Sequence, residues 1–378
     1  MKLGKASIIQ VRQRNDVYFD SSRGIYKNGA DNMYPTRVEL IVNASVTASQ
    51  CRKLLQKFIT GKGFENETLD KLIIGYDELG KVTGLKLLRK IAESISYHNG
   101  VFIHANFNVL GQVTGLSVLP YRWCRFSGVD EYTGKYSQIA VYNNWDCSVK
   151  ARTNWEEVQY FPVFDQSRVQ EQFAQGDFKG QIMFFNYTDL GLYPLAPIDP
   201  AITDADSEAR ISFFKNKTLV SGFLDKTIMR HAPFDSEEDA EAFKRVVKAF
   251  QGTENAEDIM LLEDVFTSDN KDGNLRIDRF ESKINDKLFE SWERTCPNNI
   301  RRCFENPPPM LIDYVEGKLG GTSGESYREA VSFYNSQTED NRMAVSAILS
   351  ELLQYWHSGS IDNTNIIPIS SPVQSVAQ

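Results

Sequence analysis

The 378-residue sequence is poor in the residues that build metal and hydrolytic centres: it has four histidines and five cysteines. His98, His104, His231 and His357 are scattered, with no pair at metal-binding spacing and no nearby GxSxG motif. The cysteines (Cys51, Cys124, Cys147, Cys296, Cys303) are odd in number, and no CxxC or Cys/His cluster offers four tetrahedral ligands. They read as reduced thiols; Cys296 and Cys303 lie two helical turns apart, a rise of roughly 10 Å, too far for a disulfide. No apolar run approaches the ~20 residues of a membrane span. The opening MKLGKASIIQVRQRNDVYF lacks the apolar block and cleavage site of a signal peptide, so a protein made and used in a cytoplasm is expected. Positive charge is not in excess either. A formal net charge of −8 argues against wrapping nucleic acid through phosphate neutralisation, but it does not exclude a wall past which DNA slides without sticking.

What is present is an ordinary globular composition, 41% hydrophobic and 24% charged, enough for a large core and two or more structural units. After the turn cluster GADNMYP, helical periodicity predicts one apolar stripe through Leu40, Ile41, Ala44, Ala48, Cys51, Leu54, Leu55 and Phe58, ended by Gly61 and Gly63. A second helix is expected over Leu85–Tyr97, then a turn at His98-Asn99-Gly100. The runs VFIHANFN and VTGLSVLP, joined at Leu110-Gly111-Gln112, read as a hairpin. Further strands are expected at Gln138–Tyr142 and Gln181–Phe185, with Asp165–Gly180 as an exposed polar loop between them.

Pro200 to Phe214 reads as helix, Lys215–Asp225 as a mixed run, and Lys226–Met229 as a strand. SEEDAEAFKRVVKAFQ is a helix capped at Ser236, acidic in its first turn and basic later, in keeping with the helix dipole. The strand DIMLLEDV and a turn at Asp272-Gly273 follow. The longest helical pattern runs from Phe280 to Phe304, interrupted near Cys296-Pro297 and stopped by Pro307-Pro308-Pro309. The Gly/Ser-rich EGKLGGTSGES precedes a last helix, Tyr327–Trp356, and a strand-like NTNIIPIS.

Three motifs invite a chemical reading and fail it. SDNKDGNLRIDRFE aligned on Gly273 as a calcium loop places Arg279 where the bidentate Glu must stand, so an Asp-Gly turn is the better reading. In EGKLGGTSGES, Lys318 precedes the Gly320-Gly321 pair and is followed by leucine, unlike a nucleotide-binding loop. Only Arg122-Trp123-Cys124-Arg125-Phe126 interleaves basic and aromatic residues as a base-stacking surface would. That segment, like the pairs Phe184-Phe185 and Phe213-Phe214, reads as core and subunit-contact packing. Glu237, Glu238 and Glu241 read as solvated surface, and no catalytic, metal or cofactor residues are assigned.

In order, these segments resemble the portal family of tailed bacteriophages over nearly the whole chain. GADNMYP, with its helix and GKGF ending, is similar to the family's start. YHNGVFIHANFNVLGQVTGLSVLPYRWCRF looks like its Asn-Gly turn, strand, glycine turn, strand and Leu-Pro step. NYTDLGLYPLAPIDPAITDADSEARISFFKNKTLVSGFL resembles the Gly-Leu-Tyr turn leading into a helix, and PPPMLIDYVEGKLGGTSGESYREAVSFYNSQTEDNRMAVSAILSELL its proline step, glycine-rich loop and polar helix. Each is weak alone; their order carries the resemblance.

The resemblance implies an α+β portal-type fold: a discontinuous α/β wing (1–202 and again from 306), two stem helices (203–216 and 280–305), and a small α/β clip (217–279). The crown would be reduced, and residues 306–378 would carry a tunnel loop, a wing helix and a short terminal segment. The tunnel loop would lie near Tyr314–Ser326 and face DNA through Lys318, Gly320, Gly321, Thr322 and Ser323; the clip would meet partners through Glu237, Glu238, Lys244 and Lys248. The implied protein is a ring, usually of twelve copies, at one capsid vertex of a virion assembled in the host cytoplasm. It conducts double-stranded DNA non-specifically during packaging and ejection, catalyses nothing and needs no cofactor or membrane. Its implied partners are the large terminase ATPase, a head-tail adaptor, and the major capsid or scaffolding protein. Two rivals stand beside it: a metal-dependent nuclease of phage DNA, for which no carboxylate or histidine cluster is evident, and a monomeric adaptor or binding module.

Overall fold

Leu87, Leu88, Ile91, Ala92 and Ile95 recur at helical spacing, and in the structure they form the fully buried stripe of the helix Gly84–His98. Thr83 caps its start by accepting a hydrogen bond from the Lys86 amide at 3.4 Å. Asn99 closes it in the left-handed conformation, φ 54°, which asparagine tolerates better than most residues. This is the helix and turn that the periodicity predicts.

The computed structural model describes residues 17–21, 24–78, 80–129, 136–145, 155–176, 178–189, 191–221, 226–231, 237–238, 240–243, 245, 259–263, 275–280, 286–312 and 323–370. The chain forms two units, Met1–Ala205 with Asn298–Gln378, and Asp206–Pro297.

The first unit opens with β1 (Val17–Asp20) and β2 (Ile25–Asn28), followed by α1 (Tyr34–Ala44) and α2 (Val46–Thr60). The single stripe expected from Leu40 to Phe58 is two helices. Ser45 is extended (ψ 125°) and its Oγ accepts from the Ala48 amide at 3.0 Å, so a capping side chain ends one helix and starts the next. Val38 and Val42 take the buried face of α1, and Leu40 is left 65% exposed.

α3 (Glu67–Lys71), the hairpin β3 (Ile73–Asp77) and β4 (Gly80–Thr83), and α4 (Gly84–His98) lead to the predicted hairpin, β5 (Gly100–Phe107) and β6 (Val113–Leu119). Strands β7 (Cys124–Val129), β8 (Tyr136–Val141) and β9 (Gln159–Pro162) complete a five-stranded sheet in the order β1-β2-β7-β8-β9. Asp165–Gly180 is more ordered than the expected loop: Asp165 caps a turn by accepting from the Ser167 amide at 3.0 Å, and α5 (Val169–Ala174) follows, anchored by buried Val169. β10 (Gln181–Asn186) then pairs with β5 in a three-stranded sheet, β10-β5-β6. Alternation on β5 divides the core: Val101, Ile103 and Ala105 pack with the helices, while Phe102 faces Phe126, Tyr121 and Ile182.

α6 (Ile202–Ser221) overruns its expected end at Phe214 by two turns, through the run read as mixed. In the second unit β11 (Lys226–His231) is central, parallel to β12 (Ile259–Glu263) and antiparallel to β13 (Leu275–Phe280). Residues 237, 238, 240–243 and 245 are helical, as the acidic-to-basic pattern predicts. Phe280 ends a strand instead of starting a helix, because its register pairs it with Lys226; α7 is Asp286–Arg302. It continues unbroken through Pro297, with Cys296 and Ile300 buried on the flanking turns, so the proline's lost donor does not end it.

The expected last helix is likewise two, α8 (Ser323–Gln337) and α9 (Glu339–Leu353), parted at Thr338. Arg342 fills that break: its guanidinium donates to Thr338 Oγ1 (2.8 Å), the Asn335 carbonyl (2.7 Å) and the Phe58 carbonyl of α2 (3.3 Å). The strand-like NTNIIPIS lies along residues 62–65, with Glu65 N to Asn365 O at 2.8 Å, Lys62 N to Ile367 O at 2.8 Å and Ile367 N to Gly63 O at 2.9 Å. Among the described residues no helix is long and apolar enough to cross a membrane.

Gly61 makes that pairing possible. Its φ is 59°, and a Cβ there would lie 2.1 Å from the Ile367 carbonyl oxygen. Gly61→Ala is therefore expected to cost at least about 2 kcal/mol, a clear fall in thermal midpoint by calorimetry, because the added carbon meets backbone and cannot be relieved by a side-chain rotation.

Candidate assembly surface and polar cluster

Several helices leave apolar side chains in solvent, Leu40 of α1, Met343 of α9 and the aromatics of α6 and α7 among them. Residues 212–216 of α6 are exposed without interruption, and so are residues 290–295 of α7. A helix lying on its own core exposes one face; five or six consecutive exposed residues mean exposure all round. Within these stretches Phe213 is 69% exposed, Phe214 41% and Trp292 44%. Lys215 and Glu293 form an ion pair between the two helices. Phe184 and Phe102 meet as a tilted pair at 4.5 Å inside the first unit, so the core reading holds for Phe184; Phe213 departs from it and keeps only the contact reading.

The sequence-predicted loop and clip residues separate. Lys318, Gly320, Gly321 and Thr322 lie outside the described residues, as do Lys244, Lys248 and the Asp272-Gly273 turn. Ser323 is the first residue of α8, so the loop expected to run through Ser326 ends earlier; Glu325 in the first helical turn suits the helix N-terminus. Glu237 and Glu238 are exposed on helical backbone, consistent with solvated surface. Arg279 of the calcium-loop alignment sits within β13, paired with Thr227.

The basic-aromatic segment divides by burial. Arg125 is fully buried: its guanidinium donates to the Asn32 side-chain and backbone oxygens, to the Cys124 carbonyl (2.7 Å) and to the Arg122 carbonyl (3.1 Å), and lies 5.5 Å from the Trp145 ring. It offers nothing to a base or a phosphate. Arg122 is half-exposed and bonds Glu39 at 2.8 Å, whose other carboxylate oxygen accepts from His98 Nε2 at 3.2 Å. His98 is buried and stacks on Tyr121 at 4.4 Å. These groups line an open cavity of about 350 Å³ with Lys90 and Tyr97. Ser94 on its wall is committed to the Gly100 carbonyl at 2.7 Å. Among the described residues no group of three His, Cys, Asp or Glu is placed to hold a metal ion.

Sequence reading missed the Glu39–His98 pair, whose members are 59 residues apart. Their only signal is a histidine in the last turn of an otherwise apolar helix stripe.

Burial lowers the pKa of His98 against the pull of Glu39, and the positive charges of Arg125 and Arg122 lower it further. A second proton, on Nδ1, would be buried with no acceptor. The folded state thus disfavours the charged ring, and stability falls as pH drops below the ordinary value of 6.5, where the unfolded chain takes up a proton that the folded chain refuses. The slope from this one group is at most about 1.4 kcal/mol per pH unit. His98→Gln is expected to flatten the loss of thermal midpoint between pH 7.5 and 5; an unchanged slope would put the acid sensitivity elsewhere.

No protein-family model matches the sequence, and no curated protein is similar to it. Solved structures are similar in fold. A chain in the virion of a native gene transfer agent (GTA) particle matches with a TM-score of 0.50 at 14% identity, over 89% of this chain and 83% of that one. A chain in the neck of a native GTA particle, computed with C12 symmetry, matches with a TM-score of 0.47 at 14% identity, over 97% and 88%. An HK97-family phage portal protein from Corynebacterium diphtheriae matches with a TM-score of 0.40 at 14% identity, over 82% and 89%. The chain thus shares the fold of a protein of the gene transfer agent virion, and a phage portal protein is among the solved structures that it resembles.

Proposed function

We propose that the chain is a phage portal subunit: a ring-forming virion protein that holds a DNA channel and does no covalent chemistry. The observation that carries this reading is the uninterrupted exposure of residues 212–216 of α6 and 290–295 of α7, with Phe213 69% exposed. Helices with aromatic side chains on their open sides need a cover, and copies of the same chain arranged about an axis supply one for every subunit. The fold shared with a virion protein and the ordered resemblance of the segments support the same reading.

In that ring, residues 203–216 and 280–305 serve as the stem, 217–279 as the clip, and the remainder as the wing. The clip meets the terminase ATPase during packaging and a head-tail adaptor afterwards, with Glu237, Glu238, Lys244 and Lys248 as contact residues, while the wing meets the capsid or scaffolding protein at one vertex. The loop carrying Lys318, Gly320, Gly321 and Thr322, with Ser323 where it meets α8, faces DNA, since glycines let backbone shift as the duplex advances. A net charge of −8 suits a channel whose contacts are transient, backbone-directed and independent of sequence.

Light scattering with negative-stain imaging of the purified chain tests the proposal: rings of about a dozen copies with a central hole are expected. A species that stays monomeric at high concentration and cleaves DNA with magnesium would overturn it. Phe213→Asp is expected to shift the rings toward smaller species while leaving the thermal midpoint of the subunit within about 2 °C, because this side chain supports little of the subunit's own core.

A further inference from the structure

Between helix α9 and the late segment that pairs with residues 62–65 the first unit has an open groove of about 490 Å³. Met343 and Ala347, one turn apart on α9, and Ile366 of the late segment give it an apolar lining, and Met343 is left 57% exposed there.

The rest of the lining is acidic. Glu65, Glu339 and Asp362 stand around the groove against one cation, Arg342, which is buried and already committed to oxygens of Thr338, Asn335 and Phe58. Arg342 offsets Glu339 in part. The other two carboxylates are met by neutral donors: Asn363 and Asn365 donate to Glu65 at 3.4 and 3.2 Å, and Ser360 donates to Asp362, so their charges are solvated but not cancelled. Such a rim is not general to this surface, for the open cavity beside β9 has Arg168 and Lys179 as its charged lining residues.

We propose that the groove receives the chain's own N-terminal segment, residues 1–14. Lys2, Lys5, Arg12 and Arg14 are the charged side chains of that segment, no Asp or Glu precedes Asp16, and Ile8, Ile9 and Val11 lie between the cations. In a chain at −8 the segment is thus opposite in sign to the whole, and it joins the two chemistries that the groove asks for: apolar side chains for the lining and cations for the rim. The opposite terminal segment, 371–378, follows the groove directly in sequence but has no charged side chain to set against the carboxylates. Reach is sufficient. β1 starts at Val17, and the residues before it extend up to roughly 50 Å. Tethering makes the docking intramolecular, which favours a chain's own segment over a neighbour's. The inference does not depend on the ring reading, since a single copy contains both parts.

The test places a photoreactive benzoylphenylalanine at position 343 of the full chain, where the native side chain is exposed, and maps the crosslinked peptides by mass spectrometry after irradiation. A crosslink to residues 1–14 is expected, in a product that keeps the monomer mass on a denaturing gel. The double variant Arg12→Glu, Arg14→Glu is expected to lower its yield about fivefold or more, and about 0.5 M salt is expected to lower it in the parent. No crosslink to residues 1–14, or one to residues 371–378 in its place, would overturn the inference. A covalent dimer would overturn the choice of the chain's own segment, and a yield that neither the charge reversals nor salt changes would overturn the electrostatic basis of the docking.

Discussion

A buried guanidinium sets the terms for the first unit. Arg125 carries a charge in a place that admits no water, and that charge is tolerable only while oxygens surround it. The oxygens come from the turn before α1 (Asn32), from its own strand (Cys124) and from the preceding turn (Arg122), with the Trp145 ring alongside. Asn32 itself sits at φ 64° and also accepts from the Asn28 amide at 3.0 Å, so β2, the start of α1 and β7 are held to one another by one side chain. Losing that side chain would leave several buried carbonyls without a donor, a larger penalty than the loss of any single apolar contact nearby.

Around that fixed point the two core clusters divide the work by chemistry. The helix side, with Leu87, Leu88, Ile91 and Val345, is mostly aliphatic, with a few aromatics such as Phe64 and Trp356 at separate points. The sheet side is aromatic: Phe102, Phe126, Tyr121 and Phe184 meet at 4.5 to 6.5 Å in tilted or edge-on pairs, which fix relative angle as well as distance. Tyr193 joins them to the backbone, accepting from the Phe126 amide at 2.7 Å and donating to the Tyr26 carbonyl at 2.9 Å. The oriented cluster is the one that borders the polar group of Glu39, His98 and Arg122, where geometry matters most.

Elements were legible in the sequence where a single periodicity ran between strong stop signals. Gly84–His98 and the β5–β6 hairpin are of that kind, bounded by Thr83, Asn99 and Gly111. The helix breaks at Ser45 and Thr338 were not legible, because the apolar pattern continues across both and the break is decided by one hydroxyl bonding to backbone nearby. Pro297 misled in the opposite direction: its local cost is real, but burial of Cys296 and Ile300 on either side outweighs it. Of the candidate surfaces, the contact reading of Phe213 was open from composition, whereas the Glu39–His98 pair depends on tertiary packing over 59 residues and no local pattern encodes it.

The pairing of residues 364–367 with 62–65 joins positions about 300 residues apart and closes the first unit across everything between them. Synthesis therefore delivers most of that unit well before the strand and the helix α9 that complete it. During that interval Phe58, Phe64 and Leu55, which end up beneath the late segments, face solvent or a chaperone. Closure consequently waits until residues 364–367 have been made, and a chain that lacks them would expose an apolar seam. The order of translation itself thus leaves every partly made chain with an apolar seam where the last segments will lie.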